Sequence, residues 1–373
     1  MICLGIRRAL LVGVFVLSAC GARVGPRVDD AITPRKVDPI HVVATRDGER
    51  LHLDAYDATE LFSRGGKLLR TGRCDEAVGN YSRLVDEFPD SDLVPLALYN
   101  SGLCYDELGR FLEAAAAYSR LIERHPQSPD VTDALFRLAS SYENIEAWDD
   151  TIAVFDRLLE ERKDLRGVER IEALARKGSA MMQVGRGSDA RWVLEEAVRI
   201  YRAGRGVSPS DSIYHYSMAQ FKLAQIVHDE MRAVSLPSDE ALIEEMLEKK
   251  AQLLLDAQRL YTRVIRIGNA KWAAAAAYRI GSLYHHLWKD ILFAPAPDDI
   301  EGEARKIYFE ILSDRIRVLL RKAVIQWERT LKLATRLGLD NEWIDNTNRD
   351  LAEIRKILSI GESGVSTDAK DGE

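Results

Sequence analysis

From residue 56 onward, apolar residues recur every three or four positions, the spacing of one buried helix face, and the pattern repeats. Leu61, Gly65, Leu68, Ala77, Tyr81 and Pro89 form one copy. Leu98, Gly102, Tyr105, Ala114, Tyr118 and Pro126 form the next, and Leu135, Ala139, Tyr142, Thr151 and Phe155 a third without the closing proline. The three share one register, displaced by 37 residues each time. A weaker fourth copy has Leu174, Gly178, Met181, Ala190 and Leu194. Each copy reads as two helices, the first carrying the glycine or alanine and the second the aromatic residue. Gly65, Gly102, Ala139 and Gly178 are expected where the two helices approach most closely, with Ala77 and Ala114 facing them, because small residues let backbones close while Leu, Tyr and Phe fill the space beside them. One helix pair leaves an apolar face bare, so pairs must stack. The fold class expected is all-α, a solenoid of antiparallel helix pairs.

The second half keeps the theme with less regularity. Residues 214–233 and 240–267 read as a pair split by a Ser-Leu-Pro-Ser connector. Residues 272–287 carry Ala277, Ile280, Gly281 and Tyr284, again a first helix, and a Pro-rich segment, 293–297, delays its partner because proline cannot continue a helix. That partner is one long helix over 301–337, with Ala323 and Trp327 in second-helix register, and a helix over 341–359 caps the stack. The organisation expected is an export segment (1–19), a flexible tether (20–38), a β-hairpin (39–55), regular repeats (56–204), degenerate repeats with a cap (205–360) and a disordered tail (361–373). The hairpin rests on two alternating runs around Asp47-Gly48, a frequent hairpin turn pair.

The N-terminus changes the picture of where the chain works. Arg7 and Arg8 precede a short apolar run, 9–17, about half the length that spans a bilayer; this reads as a cleavable export signal. Leu17-Ser18-Ala19-Cys20 resembles the bacterial lipobox, which implies that Cys20 becomes the lipidated first residue of the mature chain and tethers it to the membrane. The alternative is an ordinary cysteine ending an uncleaved helix. Gly21 follows Cys20, and within that resemblance the lack of an aspartate there implies the periplasmic face of the outer membrane.

Charge and candidate chemistry narrow the function classes. The net charge is −7, two lower after the signal leaves, and no Lys/Arg block marks a nucleic-acid surface. A hydrophobic share of 46% supplies a packed core. Cys74 and Cys104 are the cysteines left outside the first twenty residues; they read as buried free thiols or, in an oxidising compartment, as a disulfide. No nucleophile elbow, phosphate loop or HExxH occurs, so no catalytic residue, metal or cofactor is expected and the chain reads as a non-enzyme. Neighbouring helical residues diverge by about 100°, so His285-His286 reads as helix surface with one half-buried ring. Glu195-Glu196 and Glu244-Glu245 read as solvated helix faces, and Ala273–Ala277 as a close-packing one.

The copy Leu98-x2-Ser101-Gly102-x2-Tyr105…Ala114-x3-Tyr118…Pro126 resembles the tetratricopeptide repeat (TPR), whose unit is about 34 residues. Residues 97–103 and 118–129 are similar to the periplasmic TPR families BamD/ComL and YbgF/CpoB, while 205–358 depart from both and look more like larger TPR lipoproteins of motility and envelope-spanning machines. The resemblance implies a scaffold that binds other envelope proteins in a concave groove lined by first helices. In this register the groove residues are Phe62, Tyr99, Phe136 and Ala175, then Gly66, Leu103, Ser140 and Ser179. The three rings make a ladder suited to an apolar or extended peptide, or else pack between neighbouring first helices. Asn100 and Arg137 match positions of the carboxylate-gripping clamp of some TPR domains; Phe62, Gly66 and Asp133 do not. The function expected is a lipid-tethered adaptor in envelope assembly, with a trans-envelope machine or a carrier of small envelope ligands as alternatives.

Overall fold

The computed structural model describes residues 39–47, 50–204, 209–297 and 300–365. The export segment, Cys20 and the tether lie outside the described residues. Two short strands, β1 (His41–Asp47) and β2 (Arg50–Tyr56), precede helices that run in pairs. These are α1 (Ala58–Arg70) with α2 (Cys74–Glu87), α3 (Val94–Glu107) with α4 (Phe111–Arg124), α5 (Val131–Asn144) with α6 (Trp148–Glu161), and α7 (Gly167–Gln183) with α8 (Gly187–Ala203). Longer helices follow: α9 (Pro209–Ala233) with α10 (Glu240–Ile267), α11 (Ala270–Leu292) with α12 (Gly302–Leu337), and α13 (Glu342–Val365) as a lid. The fold is an all-α stack of antiparallel pairs.

Local signals set the helix ends. Asp57, Asp239 and Asn269 cap α1, α10 and α11 by accepting from the backbone N–H three residues on, which satisfies a donor left open by the first turn. Within the first two pairs the tight reversal passes through Gly72 and Gly109, both at φ +70°. The third pair has Glu146 at the same place, at φ 58°, a left-handed conformation that a side chain disfavours.

The core is a series of overlapping clusters along the stack. One runs through α1–α7, a second through α6–α9, a third through α9–α11 and a fourth through α11–α13. Each pair shares its core with its neighbours, as expected when no pair can bury its apolar face alone. The glycines show how the helices of a pair mesh. A Cβ at Gly65 would sit 2.6 Å from the Tyr81 ring, and one at Gly178 2.6 Å from Leu194. At Gly102 and Gly281 the same atom would run into Tyr118 and Trp327. The glycines are thus faced by the large second-helix residue, not by Ala77 and Ala114, which are fully buried one turn away. A ring needs more depth than a methyl, so the glycine belongs opposite the ring.

Two boundaries differ from the sequence reading. Asp47 pairs with Arg50, so the hairpin connection is residues 48–49, one later than Asp47-Gly48. The hairpin packs on the first pair through its base: the His41 ring lies 4.6 Å from Phe88, Tyr56 Oη donates to Glu87 at 2.7 Å, and Arg64 pairs with Asp54 at 3.0 Å. The last helix continues past Gly361 to Val365, into the stretch read as a disordered tail; 366–373 lie outside the described residues.

Candidate functional site: the first-helix face

First helices lie side by side, with α1 on α3, α7 on α9, α9 on α11 and α11 on α13, and second helices make no comparable contacts with one another. At those four steps the stack is tighter on its first-helix side, which makes that side the inner face.

Along α1, α3 and α5 the three rings meet the aromatic residue of their own pair. Phe62 lies 5.8 Å from Tyr81, Tyr99 5.9 Å from Tyr118, and Phe136 6.2 Å from Phe155, centroid to centroid. They are half-buried, each with one side against the aromatic residue of its own pair, and Tyr99 also reaches the next first helix through its hydroxyl. Leu103 is half-buried, Arg137 exposed, and Ala175 fully buried; α7 turns that position into the core and leaves the groove to Ser179.

Polar links tie one first helix to the next, and sequence reasoning missed them. Asn100 donates to Tyr81 Oη at 3.3 Å, and Tyr99 Oη donates to Asp133. Burial, then the Asp133 carboxylate, pushes the Tyr99 hydroxyl up to about 12. Asp106 accepts from Tyr118 at 2.9 Å and from Ser141 at 3.0 Å. Arg176 is 9% exposed and reaches Ser140 at 2.7 Å, Glu143 at 2.9 Å and Glu172 at 2.9 Å. Its charge is held by those two carboxylates against the cost of burial, as a buried guanidinium requires. His215 continues the series, 3.8 Å from Glu172. The links from Tyr99 to Asp133, from Ser141 to Asp106 and from Arg176 to Ser140 and Glu143 join residues 33–36 apart, and only the repeat length signals them in the sequence.

The inner face of the second half is built differently. Tyr214, Phe221 and Trp343 surround Trp272 or each other at 5.2–5.9 Å, and Arg279 stacks over Trp343 at 5.6 Å. The indole N–H of Trp272 and of Trp343 and the Nε–H of Arg279 are buried without an acceptor among the described residues. Burial, then the Arg279 charge, lowers Lys222 to about 8. The carboxylates nearby are Asp229, which acts on Arg279 and Lys222, and Asp350, which accepts from Tyr278 at 2.6 Å. Deeper in, His228 meets His286 at 2.9 Å and Tyr261 at 3.4 Å. Burial, then the neighbouring histidine, drops His228 to about 2; burial, then Arg232, drops His286 to about 3. His285 is 5% exposed and packs against Trp288 and Trp327. Of the pair read as helix surface with one half-buried ring, His286 is half-buried and His285 is interior, and the partner of His286, His228, lies 58 residues away. No group of three or more His, Cys, Asp or Glu side chains gathers into a metal site among the described residues.

Cys74 and Cys104 come together as buried free thiols, not as a disulfide. Cys74 donates to Glu107 at 3.1 Å, and burial followed by that carboxylate pushes its thiol up to about 12. No described helix is long and apolar enough to cross a membrane.

The fold and its inner face define an α-solenoid of the protein-interaction kind. Over residues 64–165 the repeats are tetratricopeptide repeats: the family model of that description matches residues 64–129 and 106–165. No curated protein matches the chain in sequence. Among solved structures it is similar to a tetratricopeptide repeat protein from Parabacteroides merdae, at 14% identity over 80% of this chain and 98% of that one, TM-score 0.38. It is also similar to the MamA protein, at 17% identity over 67% and 99%, TM-score 0.39. A third is YrrB, described as a TPR protein with an unusual peptide-binding site, at 13% identity over 66% and 91%, TM-score 0.37.

Proposed function

We propose that this protein is a lipid-tethered adaptor of the bacterial envelope, held on the periplasmic face of the outer membrane through Cys20, which grips a partner polypeptide along its inner face in envelope assembly. One observation supports the binding part: Phe62, Tyr99 and Phe136, on successive first helices, stay half-buried, and the second half's Trp272, Trp343 and Arg279 donors have no acceptor among the described residues. An extended segment offers both complements, apolar side chains for the ring edges and carbonyl or carboxylate oxygens for donors. The lipid part rests on the Leu17–Cys20 tetrapeptide.

Affinity capture from detergent-solubilised envelopes tests the reading. The wild-type chain is expected to retain a protein in stoichiometric amount, and the Arg137→Glu/Lys271→Glu variant, altered at exposed inner-face cations, to lose it with its helix content intact. Recovery of a small ligand alone would make the chain a carrier instead. Cys20→Ser is expected to move the chain into the soluble fraction, and continued sedimentation with membranes would refute the lipid anchor.

A further inference from the structure

On the outer side of the stack, neighbouring second helices leave a cleft floored by the first helix between them. Two such clefts can be compared because the same ring contact sets their register: Tyr99 on Tyr118 at 5.9 Å in one, Phe221 on Tyr261 at 5.6 Å in the other. Between α2 and α4, Arg120 reaches across to Asp86 at 3.8 Å, and Leu98 lies on the floor of a cavity of about 250 Å³. Counting from the matched tyrosines and from Tyr81 against Leu194, Arg120 corresponds to Arg263, Asp86 to Arg199 and Leu98 to Gln220. The ion pair that bridges the first cleft is thus replaced by two arginines in the second, between α8 and α10, where the cavity is about 410 Å³.

Arg191 and Arg202 join them on its walls, against the single carboxylate of Glu195. Arg191 is drawn to Glu230 at 2.6 Å and Arg199 to Glu196 at 2.5 Å. Arg202 and Arg263 have no ion-pair partner among the described residues. Gln220 is 2% exposed, lines the cavity and has no hydrogen-bond partner among the described residues. With no such partner, the Gln220 amide turns its polar end into the cavity, where it can donate to or accept from a ligand. Val198, Leu223 and Leu260 supply an apolar floor beside it. Like charges held across a cleft repel unless an anion sits between them, and guanidinium forks match the oxygens of phosphate and carboxylate.

We propose that the α8–α10 cleft is a binding site for a small oxyanion-bearing ligand, a phosphate or carboxylate on a short apolar body, held by Arg199, Arg202 and Arg263 with Gln220 at the floor. This site is separate from the inner face and stands whether or not a partner binds there.

The test is calorimetric titration of the full-length protein with phenylphosphate and with benzoate. Saturable binding near one site per chain is expected, weakened at least about tenfold in Arg202→Glu/Arg263→Glu. It should be unchanged in the control Lys332→Glu/Arg336→Glu, which alters exposed cations of α12. Gln220→Met, isosteric and apolar, is expected to weaken binding without lowering thermal stability. Co-sedimentation of the Cys20→Ser chain with phosphatidylcholine vesicles, with and without phosphatidylglycerol, separates the sources. Cleft-dependent retention by the anionic vesicles assigns a lipid headgroup; its lack alongside phenylphosphate or benzoate binding assigns a free anion. No saturable binding of either probe, or equal loss in the control variant, overturns the proposal.

Discussion

The two halves of the stack solve one packing problem with different means. In the first half a glycine receives a tyrosine from the paired helix, Gly65 with Tyr81 and Gly102 with Tyr118, and the hydroxyl is tied at 3.3 Å to Asn100 or at 2.9 Å to Asp106. In the last pair Gly281 receives Trp327, whose indole donates to the Tyr278 carbonyl at 2.9 Å. Around these contacts the first half buries small hydroxyls, Ser101, Ser141 and Thr151, and the paired Arg176, whereas the second buries His228, Lys250 and His285 with His286 half-buried beside them. Lys250, 1% exposed, is satisfied by the Met231 carbonyl at 2.8 Å and Asp290 at 2.7 Å. The lesson is that the glycine-to-ring contact defines a pair, while helix length, connector and interior polarity can drift around it.

The largest expected effect comes from removing the second-half ring. Trp327→Ala deletes a fully buried indole and leaves the cavity that makes such truncations cost about 3–5 kcal/mol. Because energy in a stack is shared between nearest neighbours, the loss should fall on α11–α13. Urea unfolding should become biphasic, with amide exchange rising in those helices while α1–α6 stay protected. A uniform rise along the chain would show that the halves do not differ in this way.

Acid is the next lever. The folded chain keeps His228 near 2 and His286 near 3, below their ordinary 6.5, so below pH 6.5 the unfolded chain takes up protons that the folded chain refuses. The stability these two contribute is complete above pH 6.5 and lost as pH falls toward 3, at about 1.4 kcal/mol per unit per group. As a coupled pair they should together remove about 2–4 kcal/mol by pH 5. His215 and His285, also depressed by burial, act in the same direction. Exchange in α9 and α11, corrected for intrinsic rates, should rise more between pH 7.5 and 5 than in α1–α6. A His228→Gln chain with unchanged pH dependence would remove the histidine pair as its source.

Which parts could be read in advance follows from how far apart the partners lie. The 37-residue register exposed the pairs of the first half because glycine and ring, such as Gly102 and Tyr118, are 16 residues apart and recur. The α9–α10 pair was legible from the Ser-Leu-Pro-Ser connector, and the α11–α12 pair from Gly281, Trp327 and the Pro-rich segment between them. The facing residue was misassigned because small-next-to-small is the simpler rule, whereas depth for a ring decides. The groove residues were half legible: register put Phe62, Tyr99 and Phe136 on first helices, but not their turn toward Tyr81, Tyr118 and Phe155. The Arg176 links, the His228–His286 contact and the arginine cleft join residues of different pairs, and nothing local to either residue announces them.

The smallest effect sharpens the comparison within the first half itself. At the position of Gly65 and Gly102 the third pair carries Ala139, fully buried, and the second helix there carries Phe155, also fully buried. A methyl is therefore compatible with this packing where the ring has no hydroxyl to hold it in place. In the second pair the Tyr118 hydroxyl is anchored to Asp106, so the ring cannot retreat from a new Cβ. Gly102→Ala should then cost about 1–3 kcal/mol through overpacking, measured by urea unfolding. Tyr118→Phe releases the anchor, and the double variant should be less destabilised than the two singles added together, by about 0.5 kcal/mol or more. Strict additivity would mean that the ring is held by its packing alone, and the glycine-built and alanine-built pairs would then differ for a reason other than the hydroxyl.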